Sequence, residues 1–441
     1  MTYCRVCARR VLVNSKINWL SWRLLLACLA FLASANVTVA AFAQPDIALT
    51  LAEAEEIALQ SEPGQVAYFA QAQALSDQSV VAGQLADPKL RLGLANFPIE
   101  SGGFATEGMT QMQLGIRQSF PAGRTRALRT SQYQSQANEM LENANLRSRD
   151  VRTQVRDAWL ETYFWREAIG LLKESQPFFE DLVTITRSLY AVGNKDQQDV
   201  LRAELELSRL QDRLIEADRN LGQVRARLSR WIGFDANRNL AKQLPEWDQL
   251  PTLEKLKSAL VRHPSLSAAS ARIATQRAGI NLAKESYKPG WALDLGYGYR
   301  EGTLTNGNPR SDFVSVAVTF DIPLFRKNRQ DRSLAAAHSQ RDAAVASKDE
   351  LLRRLVSELE SEFTRWQDLS RRIALYERLI LVQAHDQSNA ALAAYQSEAS
   401  DFADAMRGYV DDLDVQLDYV RLQVERAQSY AVIANLGGLD R

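Results

Sequence analysis

The chain has 441 residues with 53 basic and 53 acidic side chains, and this even balance argues against nucleic acid as a partner, which needs a concentrated basic surface. Its three cysteines, Cys4, Cys7 and Cys28, all fall within the first 43 residues. The rest of the chain therefore has no disulfide and no thiolate metal site, and it suits an oxidising compartment without depending on it.

At the N-terminus, Arg5, Arg9, Arg10, Lys16 and Arg23 accompany an apolar stretch from Leu24, and no acid occurs before Gln44. The stretch closes on Ala41-Phe42-Ala43, the small-x-small pattern of a signal-peptidase site. This predicts a signal peptide over 1–43 and a mature start at Gln44. Two alternatives stay open: a retained anchor, because Leu24 to Phe42 approaches the ~20 apolar residues that span a bilayer, and a lipidated Cys28 in Leu25-Leu26-Ala27-Cys28. Cleavage removes five of the 53 basic residues and leaves 48 against 53 acids, a net charge of −5.

The remainder reads as one plan written twice: a helical stretch, a strand, a Gly-rich loop, a second strand, then two very long helices. The first repeat is 44–233, with strands about 89–97 and 109–119. A linker, 234–251, carries Pro245, Trp247 and Pro251. The second repeat is 252–441, with strands about 290–300 and 312–322. Ala58-Leu59-Gln60-Ser61-Glu62-Pro63 answers Ala259-Leu260-Val261-Arg262-His263-Pro264, while Pro88, Pro121, Tyr190 and Asp199 answer Pro289, Pro323, Tyr395 and Asp404. A period this long marks a duplicated half-molecule, not a solenoid.

Past residue 43 no run of 18 apolar residues occurs, which excludes a membrane-spanning helix there. The strands have a different pattern. Trp291, Leu293, Leu295, Tyr297 and Tyr299 alternate with small or polar residues, as do Val314, Val316, Val318 and Phe320 after the loop Glu301 to Ser311. The first repeat matches with Leu90, Leu92 and Leu94, then Met112, Leu114 and Ile116. Segments of roughly 9 to 11 residues with one apolar face fit tilted strands of an outer-membrane barrel, although a pair lying on a soluble core alternates identically. Four strands cannot close a barrel whose minimum is ~8, so several chains must share one.

The helices carry the stronger signal. Val151, Val155, Ala158, Thr162, Trp165, Ile169, Leu172, Gln176, Phe179, Val183, Thr186 and Tyr190 hold a 4-3 spacing, and Val200, Ala203, Leu207, Leu210, Leu214, Ala217, Leu221, Val224, Leu228 and Trp231 answer them. The second repeat supplies Leu352, Leu355, Leu359, Trp366, Leu369, Ile373, Tyr376 and Ile380, then Met406, Val410, Leu413, Leu417, Val420, Val424, Ala427, Ala431 and Ala434. A 3.5-residue average keeps one seam facing a partner helix in a left-handed supercoil. A first helix from about Gly123 to Tyr190 is ~100 Å long at 1.5 Å per residue. The fold class expected is mainly α with a β-barrel portion.

These residues resemble the TolC-like outer-membrane efflux proteins over essentially the whole mature chain. The carrying pieces are the duplicated halves, Gln118-Ser119-Phe120-Pro121-Ala122-Gly123 at the strand-to-helix junction, and Tyr190-Ala191-Val192-Gly193 followed by Asp199-Val200-Leu201 at the first hairpin tip. Ala86-Asp87-Pro88-Lys89-Leu90, with Asn96-Phe97-Pro98, is similar to the branch serving heavy-metal-cation efflux. The resemblance implies a homotrimer whose four strands per chain form a 12-stranded barrel in outer-membrane lipid. It implies a coiled-coil tunnel extending through the periplasm to a periplasmic adaptor and an inner-membrane pump. No cofactor is implied.

Candidate site residues follow from that frame. Asp199 and Asp404, with Asp401 and Asp196 nearby, are placed to form a carboxylate ring at the periplasmic aperture, against the alternative that a first-turn Asp offsets the helix dipole. Arg407 stands one turn past Asp404 and is a candidate latch with Asp404 or Asp199. Tyr395 is either a second latch through its hydroxyl or a heptad packing residue. Val192 and Gly193 are candidate adaptor contacts, although a tight turn alone explains the glycine; the second tip, Ser397-Glu398-Ala399, lacks it. Arg91, Gln113, Arg117, Asp294 and Arg300 are placed to line the barrel lumen. His263, His338 and His385 are scattered and make no ligand set, and no GxSxG, P-loop or GxGxxG occurs, so no enzyme is expected. The rival readings are a periplasmic adaptor, disfavoured by two equal hairpins, and a structural coiled-coil protein, disfavoured by the alternating strands.

Overall fold

The computed structural model describes residues 48–439 apart from Ser61, Asn194, Lys195 and Glu398. The expected signal segment, its cysteines and Gln44 lie outside these residues, and Glu398 of the second tip lies outside them too. From Ala48 onward the chain forms one compact unit.

Each repeat opens on two short helices. α1 (Leu51–Gln60) and α2 (Pro63–Gly83) begin the first, and both repeats place Pro at the first position of the second helix, where a missing N–H costs nothing. The cap before that proline differs. Glu62 accepts from the Gln65 backbone N–H at 2.6 Å and from Arg147 Nη2 at 2.8 Å. Next come β1 (Lys89–Ala95) and β2 (Gln111–Phe120), then α3 (Thr125–Ala191) and α4 (Gln197–Ile232). The second repeat runs α5 (Leu253–Leu260), α6 (Pro264–Glu285), β3 (Trp291–Tyr299), β4 (Phe313–Phe320) and α7 (Gln330–Leu375). It ends with a π-turn at Tyr376–Ile380, α8 (Leu381–Gln396) and α9 (Phe402–Gly437).

The 67-residue α3 continues through Pro177, which removes one ladder hydrogen bond. The second repeat interrupts its own ladder near the matching depth with the π-turn, which takes up one extra residue. Burial follows the heptads. Ala203, Leu210, Ala217 and Val224 of α4, each seven residues from the last, are buried, and Leu207, Leu214 and Leu221 between them are half-buried. α3 packs on both α4 and α9, and α9 packs on α8, so α3 and α9 share the core while α4 and α8 flank them. Tyr190 ends the seam exposed, for reasons that appear at the tips.

Residues 234–251 pack on the outside of this layer. Leu49 bridges Leu240 in parallel, the Tyr163 hydroxyl donates to the Lys242 carbonyl at 3.2 Å, and Trp247 stacks on Tyr430 with centroids 4.7 Å apart. Together with Arg156 donating to Glu55 at 2.6 Å, these contacts fasten both chain segments to α3 and α9 beside a core that includes Trp159 and Leu160.

The four strands form a single antiparallel sheet in the order β1-β2-β3-β4. Opposite partners lie on one face, so the register resolves the two sides. Leu92, Leu114, Tyr297 and Val314 form one apolar row, and Leu90, Ile116, Leu295 and Val316 form the next. The other face carries Arg91, Gly115, Gly296 and Ser315, then Lys89, Arg117, Asp294 and Ala317.

Candidate functional site

Two regions hold the sequence-derived candidates: the hairpin tips and the sheet. At the first tip α3 ends at Ala191, and Gly193 follows at φ +80° with its N–H donating to the Tyr190 carbonyl at 3.0 Å. A Cβ there would meet nothing within 4 Å, so the glycine answers a backbone demand and not a crowded neighbour. Val192 beside it is 69% exposed. The second tip closes without glycine because Ser397 donates its hydroxyl to the carbonyls of Ala393 and Ala394, at 3.0 and 3.1 Å. The Ala399 N–H adds a bond to the Ala394 carbonyl at 2.8 Å.

Both following helices begin alike. Asp196 and Asp401 occupy the N-cap positions without a side-chain cap bond, and Asp199 and Asp404 sit in the first turns, where a carboxylate also favours the helix dipole. Arg407 Nη1 lies 3.5 Å from Asp404 Oδ1 on the same helix face, with both side chains exposed. The structure thus pairs Arg407 with Asp404 and not with Asp199. An exposed pair of this kind contributes only about 0 to 1 kcal/mol.

Tyr395 joins the tips. It is 3% exposed, its ring meets Phe402 edge-on with centroids 5.6 Å apart, and it belongs to a core with Phe179, Leu182, Ala203 and Met406. Burial pushes its hydroxyl above the ordinary phenol range, and the Asp199 carboxylate adds to the shift. That second cause puts Asp199 of one hairpin within electrostatic reach of Tyr395 of the other. Arg407, Arg202, Glu206 and Arg209 line a groove of about 340 Å³ beside Phe402 and Met406, where α4 meets α9.

The sheet is the other candidate. Its polar face is concave, enclosing about 830 Å³ lined by Arg91, Gln113, Arg117, Asp294, Ser315 and their neighbours. Small residues permit the curvature: a Cβ on Gly296 would come within 2.5 Å of Ser315 Oγ, which lies across that position. Arg117 Nε stands 3.7 Å from Asp294 Oδ1. Arg300, just past β3, lies over the Phe313 ring at 4.3 Å from its centroid and donates its backbone N–H to Asp312. Sequence reading passed over Lys89, which shares the parity of Arg91 and stands opposite Arg117. The same alternation that placed Arg91 was sufficient to find it.

The convex face is apolar and bare. Leu92 is 73% and Val314 79% exposed, and Leu90, Leu114, Ile116, Val316 and Phe320 are exposed with them. Aromatic residues mark both ends of this face. Phe120 stacks on Trp291 at 4.1 Å, with Phe320 opposite Trp291, at the helix end, while Tyr297 and Tyr299 stand at the loop end. From Trp291 to Tyr299 the strand rises about 27 Å, or about 20 Å of height at a 40° tilt.

Among the described residues, no three His, Cys, Asp or Glu side chains group as a metal site, and no helix is long and apolar enough to cross a membrane. His263 is buried as an N-cap, accepting from the Ser265 N–H, and His385 lies 3.7 Å from Asp412.

Comparison with known proteins places these features. Residues 256–438 match the family model of the outer membrane efflux protein. Protein CyaE of Bordetella pertussis is 28% identical over 295 residues, covering 63% of this chain and 60% of its own. The proteases secretion protein PrtF of Dickeya chrysanthemi is 22% identical over 232 residues, 49% of each chain. The chain thus spans about half to three-fifths of the length of these curated relatives. Among solved structures, CusC, described for its folding and transmembrane channel formation, superposes with a TM-score of 0.76 at 14% identity over 89% of this chain and 92% of its own. The outer membrane protein VceC from Vibrio cholerae gives 0.72 at 18% identity over 88% and 96%. At such identities the likeness is one of fold.

Proposed function

We propose that this chain, a TolC-like outer-membrane efflux protein, is the outer-membrane channel of a tripartite export system. In this reading it conducts passively what an inner-membrane pump delivers through a periplasmic adaptor. The observation that carries the reading is the sheet, whose convex face is apolar between aromatic ends and whose concave face is polar. A soluble protein leaving such a surface in water forgoes roughly 1.5–3 kcal/mol for each large apolar side chain it could bury. Lipid relieves that cost and a solvated core does not.

The two edges, β1 and β4, run antiparallel to each other, so β4 of one copy can pair with β1 of the next in the same alternating sense. Three copies then close a 12-stranded barrel with the concave face inside, and the helices extend it into the periplasm. Asp199 and Asp404 would each be presented three times at the aperture, with Arg407 pairing Asp404 and Tyr395 tying the hairpins together. Val192 and Gly193 at the exposed first tip are the proposed adaptor contacts. The reading asks no catalysis of the chain and no cofactor. Cargo is set by the pump: the Ala86–Leu90 motif supports heavy-metal cations, whereas the relative named for protease secretion supports a wider passage.

The test is to purify the mature chain in detergent and reconstitute it in a planar bilayer. A trimer with steady ionic conductance is expected, and Asp404→Ala should change cation preference or cation block. A monomer soluble without detergent would overturn the channel.

A further inference from the structure

The concave face carries an excess of positive charge. Within the strands it presents Lys89, Arg91 and Arg117 against a single acid, Asp294, and that acid is spent on Arg117 at 3.7 Å. Lys89 and Arg91 are exposed and, among the described residues, enter no ion pair. Arg300 adds a further cation near the loop end. The acids off the strands stand at the two margins: at the helix end Asp87, two residues before Lys89, and Asp321 beside Gly290, and at the loop end Glu301, next to Arg300, and Asp312, bonded to Tyr297 and the Arg300 N–H. The starts of the helices after the hairpin tips have the opposite sign, with Asp196, Asp199, Asp401 and Asp404 against Arg202 and Arg407.

We propose that the sheet is an anion-preferring filter at the outer end of the conduit, with Lys89 and Arg91 setting the preference. The inference rests on the channel reading, in which the concave face lines the lumen. Strands ~4.8 Å apart and tilted ~40° close a twelve-membered ring of about 12 Å backbone radius. Once side chains occupy the rim, no point in the lumen lies farther from wall charge than about one Debye length at 0.1 M salt, ~10 Å. Charges spread around a low-dielectric wall focus their field on the solution they enclose, and rings of Arg or Lys favour anions in a pore. Anionic and neutral cargo therefore crosses this segment more easily than free cations, in tension with bare metal ions as cargo. The Arg117–Asp294 pair acts as a reserve, since neutralising Asp294 leaves Arg117 uncompensated.

Reversal potentials of the reconstituted trimer across a KCl gradient test this directly. Lys89→Gln with Arg91→Gln should lower the chloride-to-potassium permeability ratio about threefold, and Asp294→Asn should raise it, each in a protein that still runs as a trimer. Dextran sulfate added to the chamber opposite the insertion side, which the barrel mouth faces, should block wild type and spare the double variant. An unchanged ratio in the double variant, or wild-type current indifferent to dextran sulfate, overturns the filter while the channel stands. Absence of conductance in wild type overturns the channel reading, and the filter with it.

Discussion

The two hairpin tips occupy equivalent places in the repeat, yet they solve the same turn by different means. Tyr190 before the first is 48% exposed, while its counterpart Tyr395 is 3% exposed and wedged on Phe402. The first tip turns on a left-handed glycine with open space around it, and the second turns on a serine that bonds two carbonyls. The reason lies in packing order. Tyr395 lies in the core where α3, α4, α8 and α9 meet, whereas Tyr190 is left outside that core. Duplication preserved the register and left the environment to the neighbours.

The largest expected effect breaks the braced tip. Phe402→Ala removes a fully buried ring and should cost about 3–5 kcal/mol locally, read as faster amide exchange through α8 and the start of α9. Tyr190→Ala in detergent-dispersed single chains should leave the α3 end nearly unchanged; equal losses would mean the tips are alike. Next comes the turn itself. Gly193→Val forces a β-branched residue to φ +80° and should cost about 1–2 kcal/mol, appearing as protease cleavage between α3 and α4. Ser397→Gly, which loses only hydroxyl bonds, should cost less than about 1.5 kcal/mol by the same assay.

A smaller effect separates the repeats by pH. Glu62 and His263 cap equivalent helices, and both have pKa values below their ordinary ones. Hydrogen bonding from Arg147 holds the Glu62 carboxyl down despite its burial, whereas burial, aided by Arg149, pushes the His263 imidazole down. In each case the unfolded state binds the proton more readily, so stability falls as pH falls. For His263 the loss begins as pH drops through about 6.5, the unfolded histidine value, and for Glu62 only through about 4.5. His263→Gln should therefore flatten the thermal-melting profile near pH 6 and Glu62→Gln near pH 4. Exchanged windows would show that the two caps do not differ as described.

Much of this was legible in the sequence. The alternation of Leu90 to Leu94 and Trp291 to Tyr299 fixed the strands and their faces, and the seven-residue spacing of Ala203, Leu210, Ala217 and Val224 fixed the buried seam of α4. The candidate site was less so. Arg407 had two acids within conceivable reach, and Tyr395 had two roles, because a heptad pattern states which side of a helix is buried and not how deep each position goes.

Local periodicity determined what the residues themselves could settle: the repeat, the strand and helix types, and the apolar face of every element, since backbone pitch and side-chain hydrophobicity need no distant partner. Only the tertiary structure decided which tyrosine is buried and that the sheet curves with Lys89 and Arg91 on its inner side. Those outcomes depend on how residues some two hundred positions apart are brought together, and a spacing rule carries no such information.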